Sequence, residues 1–573
     1  MSFIKEKENF LKNILKDLGY ESDIVILPSS KKELGDFQLN VAMTLAKKYK
    51  KNPMTIASEI ISKMDSSFSN INIASPGFIN FSFKDQDLID YLNNSITNFE
   101  SLYDKHKEKT IFLDYGGANA AKALHVGHMR SANIGEALRR LCNTLGYKTI
   151  SDVHLGDLGR QAGMLISEIK KREPELVFFD ENYKGEYPKI NYTAENLGNM
   201  YVSANIEASN DEKRMEEVRE ITAEIDKGNE RYLALWKQLV EISSVEIKKI
   251  YDELNCHFDL WEGELDSFKD IPPMLTVLKP YLYESNKAMV MDVKNDGDTK
   301  EIPPLIVIKN DGATIYATRD LATIYSRIKR FNPDEIWYVV DSRQSLYFEQ
   351  VFRASRMSGL VREHNKLLHL GFGTINGSDG KPYKTRDGGV MYLNNLLDII
   401  RNEIEPKIKE EITGEKRAEI KEKLTIATLK YSDLMSNRTT DYIFDPVKFS
   451  SFDGKTGPYI LYTDVRLKSI LGKVETNDYK LEVINNLDLK NILLKILEIP
   501  SILNHSFNDK SLNYITDYLF DLASLFNKFY NTYHILTEED EKIKNTYLAT
   551  CKHVLNILEN LLDILAINPV DRM

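Results

Sequence analysis

Residues 109–146 read KTIFLDYGGANAAKALHVGHMRSANIGEALRRLCNTLG, and the rest of the chain is organised around this stretch. The β-branched and aromatic run from Thr110 to Tyr115 predicts a buried strand. Two glycines and an asparagine within residues 116–119 end that pattern. From Val126 the apolar residues recur at helical spacing until Gly146, a residue type that commonly ends helices. The stretch therefore predicts a strand, a loop and a helix, in that order.

His125 and His128 lie across the N-terminus of the predicted helix. The first N–H groups of a helix have no partner inside it and the helix dipole makes this end positive, so phosphate groups bind there readily. Two imidazoles three residues apart face the same side of the first turn, and Gly127 between them lets a flat ring approach the backbone. The alternative is an ordinary helix start whose histidines bond to local carbonyl groups.

The wider sequence reads GGANAAKALHVGHMRSANIGEALRR and is followed by SDVHLGDLGRQAGMLI. It resembles the signature HIGH region of class I aminoacyl-tRNA synthetases, and specifically of arginyl-tRNA synthetases. The positions that match the family pattern are Asn119, Lys122, His125, Gly127, His128, Arg130, Gly156, Asp157, Gly159 and Gln161.

The resemblance implies an α/β catalytic core, a doubly wound parallel sheet with a HIGH-type nucleotide-binding fold. An N-terminal α+β domain and a C-terminal all-α anticodon-binding domain are expected on either side of it. The residues expected to bind ATP are Ala118, Asn119, Lys122, His125, Gly127 and His128. Mg²⁺ is expected on the polyphosphate of ATP.

Composition and charge limit the class of protein. A chain of 573 residues with 42% hydrophobic and 28% charged residues predicts an ordinary globular protein of several domains. The net charge of −11 argues only against indiscriminate binding to nucleic acid. The first 19 residues mix lysines and glutamates with helical apolar spacing, which predicts a surface helix and not a secretory signal. No apolar run reaches the length of a membrane span, so we expect no membrane partner.

Cys142, Cys256 and Cys551 are isolated in the sequence. They provide neither zinc-ligand spacing nor a disulfide framework. We therefore expect no zinc, no metal ligand from protein side chains and a reducing cytoplasm as the location.

Residues 1–105 are expected to form the N-terminal domain. Its middle predicts a helix, a basic turn and a second helix that opens after Pro53. Without context, the basic turn is best explained as a solvated helix end. The resemblance to a family whose N-terminal domain contacts tRNA instead makes four of its residues candidates for phosphate contact: Lys47, Lys48, Lys50 and Lys51.

Residues 106–400 alternate strands and helices, the pattern of a doubly wound sheet, with a polar helical insertion at about 165–250. A helical linking segment is expected at 401–450 and the anticodon-binding domain at 451–573. Aromatic residues recur at helical spacing near residues 514–533, which predicts mostly core positions, with a few that stack on unpaired anticodon bases.

Asp320 has two interpretations. From propensity alone, Thr318 caps a helix and Asp320 lies in its first turn, where the helix dipole stabilises a carboxylate. The resemblance instead places it in an arginine site, in which Asp320 and Glu264 pair with the guanidinium and Tyr316 stacks on the side chain. Asn119 and Gln344 would hold the α-amino and carboxylate end.

Residues 371–398, GFGTINGSDGKPYKTRDGGVMYLNNLLD, contain the second chemical loop. Class I synthetases carry a KMSKS-type lysine loop here, and this chain departs from that consensus. Lys381 and Lys384 both remain candidates for the catalytic lysine, together with the catalytic histidines His125 and His128. The glycines around them favour a mobile lid over a plain surface loop.

The resemblance implies an arginine–tRNA ligase that activates L-arginine with ATP and transfers it to the 3′-terminal adenosine of tRNA(Arg). We expect a monomer whose partners are ATP, L-arginine and tRNA(Arg). Two rivals are an RNA-binding paralogue without catalysis and a small-molecule nucleotidylyltransferase that shares HxGH. The retained histidines and lysines argue against the first, and the chain length argues against the second.

Overall fold

A computed structural model describes residues 2–29, 31–106, 109–120, 122–310, 314–381, 383, 391–474 and 478–573. Two predicted features lie outside these residues: the candidate catalytic residue Lys384, with the glycines that follow it, and a tight turn expected at residues 311–312.

The N-terminal part packs helices on an antiparallel sheet of strand order β1-β2-β4-β3. Its elements are α1 Phe3–Asp17, β1 Leu27–Pro28, β2 Phe37–Leu39, α2 Val41–Tyr49, α3 Pro53–Ile61, β3 Phe68–Ala74, β4 Phe78–Phe83 and α4 Asp85–Asn93. The predicted helix, turn and helix are confirmed. Lys50 ends α2 in the left-handed region with φ +52°, and the Asn52 side chain caps α3 by accepting from the Met54 N–H.

The central part begins with the predicted strand and helix. Its elements are β5 Thr110–Asp114, α5 Val126–Thr144, β6 Lys148–Asp152, α6 Arg160–Arg172, α7 Ala194–Asn210, α8 Glu212–Asp226, α9 Glu230–Glu253, α10 Ile271–Leu278, β7 Leu282–Ser285, β8 Ala288–Met291, β9 Leu305–Ile308, α11 Tyr316–Phe331, β10 Glu335–Tyr338, α12 Ser345–Met357, β11 Lys366–His369, β12 Ile375–Asn376 and α13 Leu393–Ile404. Helix α5 is followed by Gly146 at φ +86°, which confirms the predicted helix stop.

The core sheet has the order β11-β10-β5-β6, with every neighbouring pair parallel. Strand β5 lies in its interior, where Leu113 pairs with Trp337 on one side and Ser151 on the other. Because both faces of such a strand are covered, its sequence is a continuous apolar run and not an alternating one. The predicted parallel α/β core is confirmed.

Strands β7, β8 and β9 form a separate antiparallel sheet that the alternating pattern did not predict. Strands β7 and β8 are joined by Asn286 and Lys287, which have φ of +51° and +63°. Positive φ at both central residues is the geometry of a type I′ hairpin. This hairpin was missed because the turn contains no glycine.

The C-terminal part is helical. Its elements are α14 Gly414–Leu434, β13 Tyr442–Ile443, α15 Pro446–Phe449, α16 Gly457–Leu471, α17 Leu487–Ile496, α18 Ile499–Asp509, α19 Asn513–Thr532 and α20 Glu541–Ile564. Arg130 on α5 is 1% exposed and its Nε lies 3.2 Å from Asp433 Oδ1 on α14. The same guanidinium donates to the carbonyls of Gly373 and Thr440, so one buried arginine joins the core to the helical part.

The N-terminal and C-terminal parts also contact one another. Lys490 Nζ lies 3.2 Å from both Asp36 Oδ2 and Asp85 Oδ1. None of the helices in the described part of the chain is both long and apolar enough to cross a membrane.

Candidate active site

The loops that follow β5 and β6 meet at the carboxyl edge of the core sheet. Gly156 N–H donates to the Ala118 carbonyl at 2.8 Å, and Ala120 N–H donates to the Gly156 carbonyl at 3.1 Å. A Cβ on Gly156 would lie 2.5 Å from Asn119 Oδ1, so a larger residue here would displace the Asn119 side chain. Two sequence-predicted ATP-binding residues, Ala118 and Asn119, are therefore fixed beside the GDLG segment, where ligands of doubly wound sheets bind.

His125 and His128 cap the start of α5 reciprocally. His125 is the N-cap residue, and its Nδ1 accepts from the Gly127 N–H at 3.1 Å. His128 Nδ1 accepts from the His125 N–H at 3.2 Å. The two rings stack with centroids 3.7 Å apart. Because each Nδ1 is an acceptor, a neutral ring carries its proton on Nε2, and each histidine has one N–H donor left for a ligand.

Both histidines are held in the neutral form. Burial, together with the neighbouring His125 and Lys122, lowers the pKa of His128 to about 3. Burial also lowers the pKa of His125, to which Arg343 and Lys122 add. Near pH 7 the pair therefore offers dipolar N–H donors and no positive charge.

The segment after the lysine loop pairs with the histidine segment. Val126 N–H donates to the Met391 carbonyl at 3.2 Å, and Leu393 N–H donates to the Leu124 carbonyl at 2.9 Å. These bonds attach one base of the lysine loop directly to the helix that carries the two histidines. At the other base, Lys381 is exposed, and its carbonyl accepts from the Gly377 N–H at 2.8 Å.

Lys122 is turned toward the insertion. Its Nζ lies 5.6 Å from the centroid of the Tyr201 ring on α7. A cation in this position over an aromatic face is attracted by the ring quadrupole. In this structure the predicted ATP-binding lysine therefore contacts the insertion.

Thr318 is not the N-cap of α11, and Asp320 lies beyond the first turn in which propensity placed it. Helix α11 begins at Tyr316, two residues before the predicted cap, and Thr318 Oγ1 accepts from the Ile315 N–H at 3.0 Å from within the first turn. Asp320 instead accepts a hydrogen bond from the hydroxyl of Tyr347 on α12. Burial raises the pKa of Asp320, and the charge of His154 lowers it. Tyr347 was not singled out from the sequence, because the contact joins residues on two different helices.

Glu264 and Tyr316 both lie beside Arg319, a residue to which the sequence assigned no role. Arg319 is 4% exposed, and its Nε lies 3.4 Å from Glu264 Oε2. Its guanidinium carbon lies 4.9 Å from the centroid of the Tyr316 ring, which is 60% exposed. Burial raises the pKa of Glu264 to about 7, while Arg319 opposes that rise. The remaining candidate, Gln344, is exposed in a short turn, Ser342–Gln344, after β10.

A buried ionic network lies behind these residues. Arg327 on α11 is 2.7 Å from Asp114 Oδ2 and 2.7 Å from Asp152 Oδ2, at the ends of β5 and β6. His154 follows β6 with φ +41°, and its Nδ1 lies 3.8 Å from Asp152 Oδ2. Although burial lowers its pKa, the nearby carboxylates of Asp152 and Asp114 raise it to about 9. Through this network α11, which carries candidates for the arginine site, packs against β5 and β6, the strands that precede the candidate ATP site.

The basic turn is exposed but partly neutralised. Lys48 Nζ lies 3.6 Å from Glu21 Oε2, and Lys51 pairs with Glu59. For Lys47 and Lys50, no ion pair is formed with another described residue. Across the described ranges, no group of three or more His, Cys, Asp or Glu side chains is arranged to hold a metal ion.

The C-terminal helices form a groove of about 480 Å³ in which Arg466 lies between two tyrosines. Its guanidinium carbon is 4.8 Å from the ring centroid of Tyr462 and 4.7 Å from that of Tyr530. Both tyrosines are about 40% exposed, at 40% and 38%. In the aromatic run, Tyr518, Phe526 and Phe529 are buried, and Phe520 and Tyr533 are half-buried against the same core. Tyr530 is exposed.

Three families match successive parts of the chain. Residues 5–83 match the arginyl tRNA synthetase N terminal domain, residues 92–446 match the tRNA synthetases class I (R) catalytic domain, and residues 460–573 match the DALR anticodon binding domain. The chain belongs to the arginyl-tRNA synthetase family. The match includes the central α/β part and both flanking parts, so the resemblance seen in the sequence is confirmed along the chain.

Relatives within the family cover the same length. The arginine–tRNA ligase of Alkaliphilus oremlandii is 42% identical, over 100% of this chain and 99% of its own. That of Francisella tularensis subsp. novicida is 40% identical, over 99% and 100%. The structure is also similar to the arginyl-tRNA synthetases of Plasmodium falciparum (TM-score 0.80, 24% identity, 100% and 99% covered) and Thermus thermophilus (TM-score 0.80, 19% identity, 100% of both chains). These two similarities concern the fold alone.

Proposed function

We propose that the chain joins L-arginine to the 3′-terminal adenosine of tRNA(Arg), after activating arginine with ATP, at the carboxyl edge of the core sheet. The observation that carries the proposal is the reciprocal capping of His125 and His128. It leaves two neutral N–H donors at a positive helix end, beside the loop that carries Asn119.

The chemistry requires alignment and charge stabilisation more than an acid or a base. An arginine carboxylate oxygen attacks the α-phosphorus of ATP, pyrophosphate leaves, and a ribose hydroxyl of the tRNA then takes the arginyl group as AMP leaves. In the first step His125 and His128 donate Nε2–H to phosphate oxygens that gain charge in the transition state. One lysine, Lys381 or Lys384, neutralises the same phosphates. We assign Mg²⁺ to the ATP phosphates, as part of the substrate, and to no protein ligand.

The arginine site uses the candidates around α11. Asp320 and Glu264 pair with the guanidinium, Tyr316 covers the side chain, and Asn119 and Gln344 hold the amino acid end. A carboxylate meets a guanidinium with two parallel hydrogen bonds, which the ammonium of lysine does not reproduce. Selection against lysine therefore follows from binding geometry.

The tRNA is held at two further surfaces. Lys47, Lys48, Lys50 and Lys51 contact backbone phosphates. The groove around Arg466 offers a cation and two exposed tyrosines, Tyr462 and Tyr530, on which unpaired bases stack. We further propose that the chain acts as a monomer in the cytoplasm, where its three buried free thiols stay reduced.

Aminoacylation of total tRNA by the purified chain, with each of the twenty amino acids in turn, tests the proposal. We expect charging with arginine alone, and pyrophosphate exchange with ATP only when arginine is present. Binding of tRNA without either reaction would instead support the non-catalytic paralogue. Adenylyl transfer to a small molecule without tRNA charging would support the nucleotidylyltransferase.

A further inference from the structure

Arg319 connects three parts of the protein around the proposed arginine site. Its side chain is 5% exposed and extends from the second turn of α11. Its Nε lies 3.4 Å from Glu264 Oε2, and its Nη1 lies 3.8 Å from Asp226 Oδ1, at the last residue of insertion helix α8. Its guanidinium also packs on the ring of Tyr316, one turn earlier.

These contacts are those that a bound arginine was expected to make with Glu264 and Tyr316. A guanidinium of the chain itself already lies beside the carboxylate and over the ring. Burying a guanidinium without compensation is costly. For Arg319 the compensation comes from carboxylates on both sides and an aromatic face, which take the place of the water that an exposed guanidinium would bind. The carboxylate of Glu264 and the ring of Tyr316 are therefore both neighbours of Arg319.

We propose that Arg319 is a positioning residue, which orients Glu264 and Tyr316 for substrate arginine and connects both to Asp226 at the end of the insertion. The inference rests on the proposed function, because it assumes that Glu264 and Tyr316 face the substrate. It assigns the insertion a role at the arginine site, through one side chain.

The ionisation of Glu264 gives a measurable consequence. Glu264 is influenced by Arg319 and Asp320 on α11 and by His154 and Asp157 after β6, and Asp226 lies across Arg319. Burial raises the pKa of Glu264 to about 7, and Arg319 is the largest influence that lowers it. Removing the guanidinium therefore moves the carboxyl pKa further upward, and the form that pairs with arginine is lost at a higher pH.

The test compares kcat/KM for arginine from pH 6 to 9 in Arg319→Gln, Arg319→Lys and the unmodified chain. We expect the acid limb of Arg319→Gln to move up by about one pH unit, the low end of the effect of one nearby charge. The KM for arginine at pH 7 should then rise about fivefold or more from the lost ionised fraction. Arg319→Lys keeps the charge and should restore the limb, with a KM between the other two.

Arg330→Gln is the matched control, since Arg330 is on the same helix and pairs with Glu262 at the surface, 2.7 Å apart. Its profile should equal that of the unmodified chain. Asp226→Asn, a milder change, should raise the KM for arginine less than Arg319→Gln does, and combining the two should add nothing further. An unmoved acid limb in Arg319→Gln, or a loss confined to kcat, would overturn the inference. If the unmodified chain does not charge tRNA with arginine, the proposed function fails instead.

Discussion

Replacing Asp320 by Asn removes one negative charge but keeps the shape of the side chain and an oxygen acceptor. The structure separates the two roles that this residue was given. At the start of α11, the Ile315 N–H donates to Thr318 Oγ1. Asp320 lies beyond that turn and accepts from Tyr347. Asp320→Asn should therefore test substrate recognition and not helix capping.

The expected loss follows from breaking a desolvated charged pair. Removing one partner of such a pair costs about 2–5 kcal/mol. At 1.4 kcal/mol for each factor of ten, kcat/KM for arginine should fall about 30- to 4,000-fold. Stability should hardly change, because Asn can still accept from Tyr347. Burial also raises the pKa of Asp320, so its charge opposes folding and its removal relieves that cost.

Steady-state aminoacylation and thermal melting, measured on the same preparation, distinguish a role of Asp320 in substrate recognition from a role in helix capping. Thr318→Ala is the matched control, since it removes the capping oxygen and leaves Asp320 in place. It should lose roughly 1 kcal/mol of stability and retain most of its arginine kcat/KM. Near-normal arginine charging by Asp320→Asn, or a lower melting temperature with activity retained, would refute the assignment.

Three further outcomes are expected. Truncating His125 or His128 to Ala should lower the kcat of arginine activation, measured by pyrophosphate exchange, roughly 10²–10³-fold, which is the effect of one lost oxyanion donor. A change in KM alone would contradict a transition-state role. Neutralising the four lysines at residues 47–51 should reduce the slope of the logarithm of the tRNA binding constant against the logarithm of salt concentration by up to ~0.9 per lost phosphate contact. An unchanged slope would support the alternative, in which these lysines only form a solvated helix end. Burial lowers the pKa of His553 to about 3 in the folded protein, against a pKa near 6.5 in the unfolded chain. The free energy of unfolding should therefore decrease as the pH falls below about 6.5. Chemical unfolding between pH 5 and 7 should show that His553→Gln removes up to about 1.4 kcal/mol per pH unit of this acid destabilisation. If the free energy of unfolding changed equally with pH in both proteins, His553 would not be its cause.

The elements that the sequence predicted well are those whose signal is local. Strand β5 and helix α5 appear as predicted because a continuous apolar run and a helical repeat each span the whole element. The same holds for α2 and α3, which are separated by a lysine at positive φ and a capping asparagine. The start of α11 was predicted three residues late, because Thr318 was assigned to the cap and the N-cap is Ile315.

The parts of the site that were missed depend on contacts between distant residues. Arg319 contacts Asp226 and Glu264, which precede it by 93 and 55 residues, and no periodicity relates such positions. Tyr347 contacts Asp320 from a neighbouring helix. The resemblance supplied Glu264 and Asp320 but not the residues that hold them. The domain boundaries at 105, 400 and 450 and the roles of the site residues stay predictions.

The bonds that begin helix α5 also determine what its histidines offer to a ligand. The N-cap requires an acceptor for the Gly127 N–H, and the His125 N–H requires an acceptor of its own; each imidazole satisfies one of these requirements with Nδ1. Once Nδ1 accepts, a neutral ring can carry its proton only on Nε2. Burial keeps both rings neutral, and the positive helix end favours the same state. The His125 ring folds back to within 3.0 Å of where a Cβ on residue 127 would lie, so a larger residue there would crowd the ring. The alternative for HxGH expected histidines bonded to local carbonyl groups, but both rings instead accept from backbone N–H groups with Nδ1. This bonding occupies Nδ1 at the helix start and gives Nε2 the proton that a phosphate would accept.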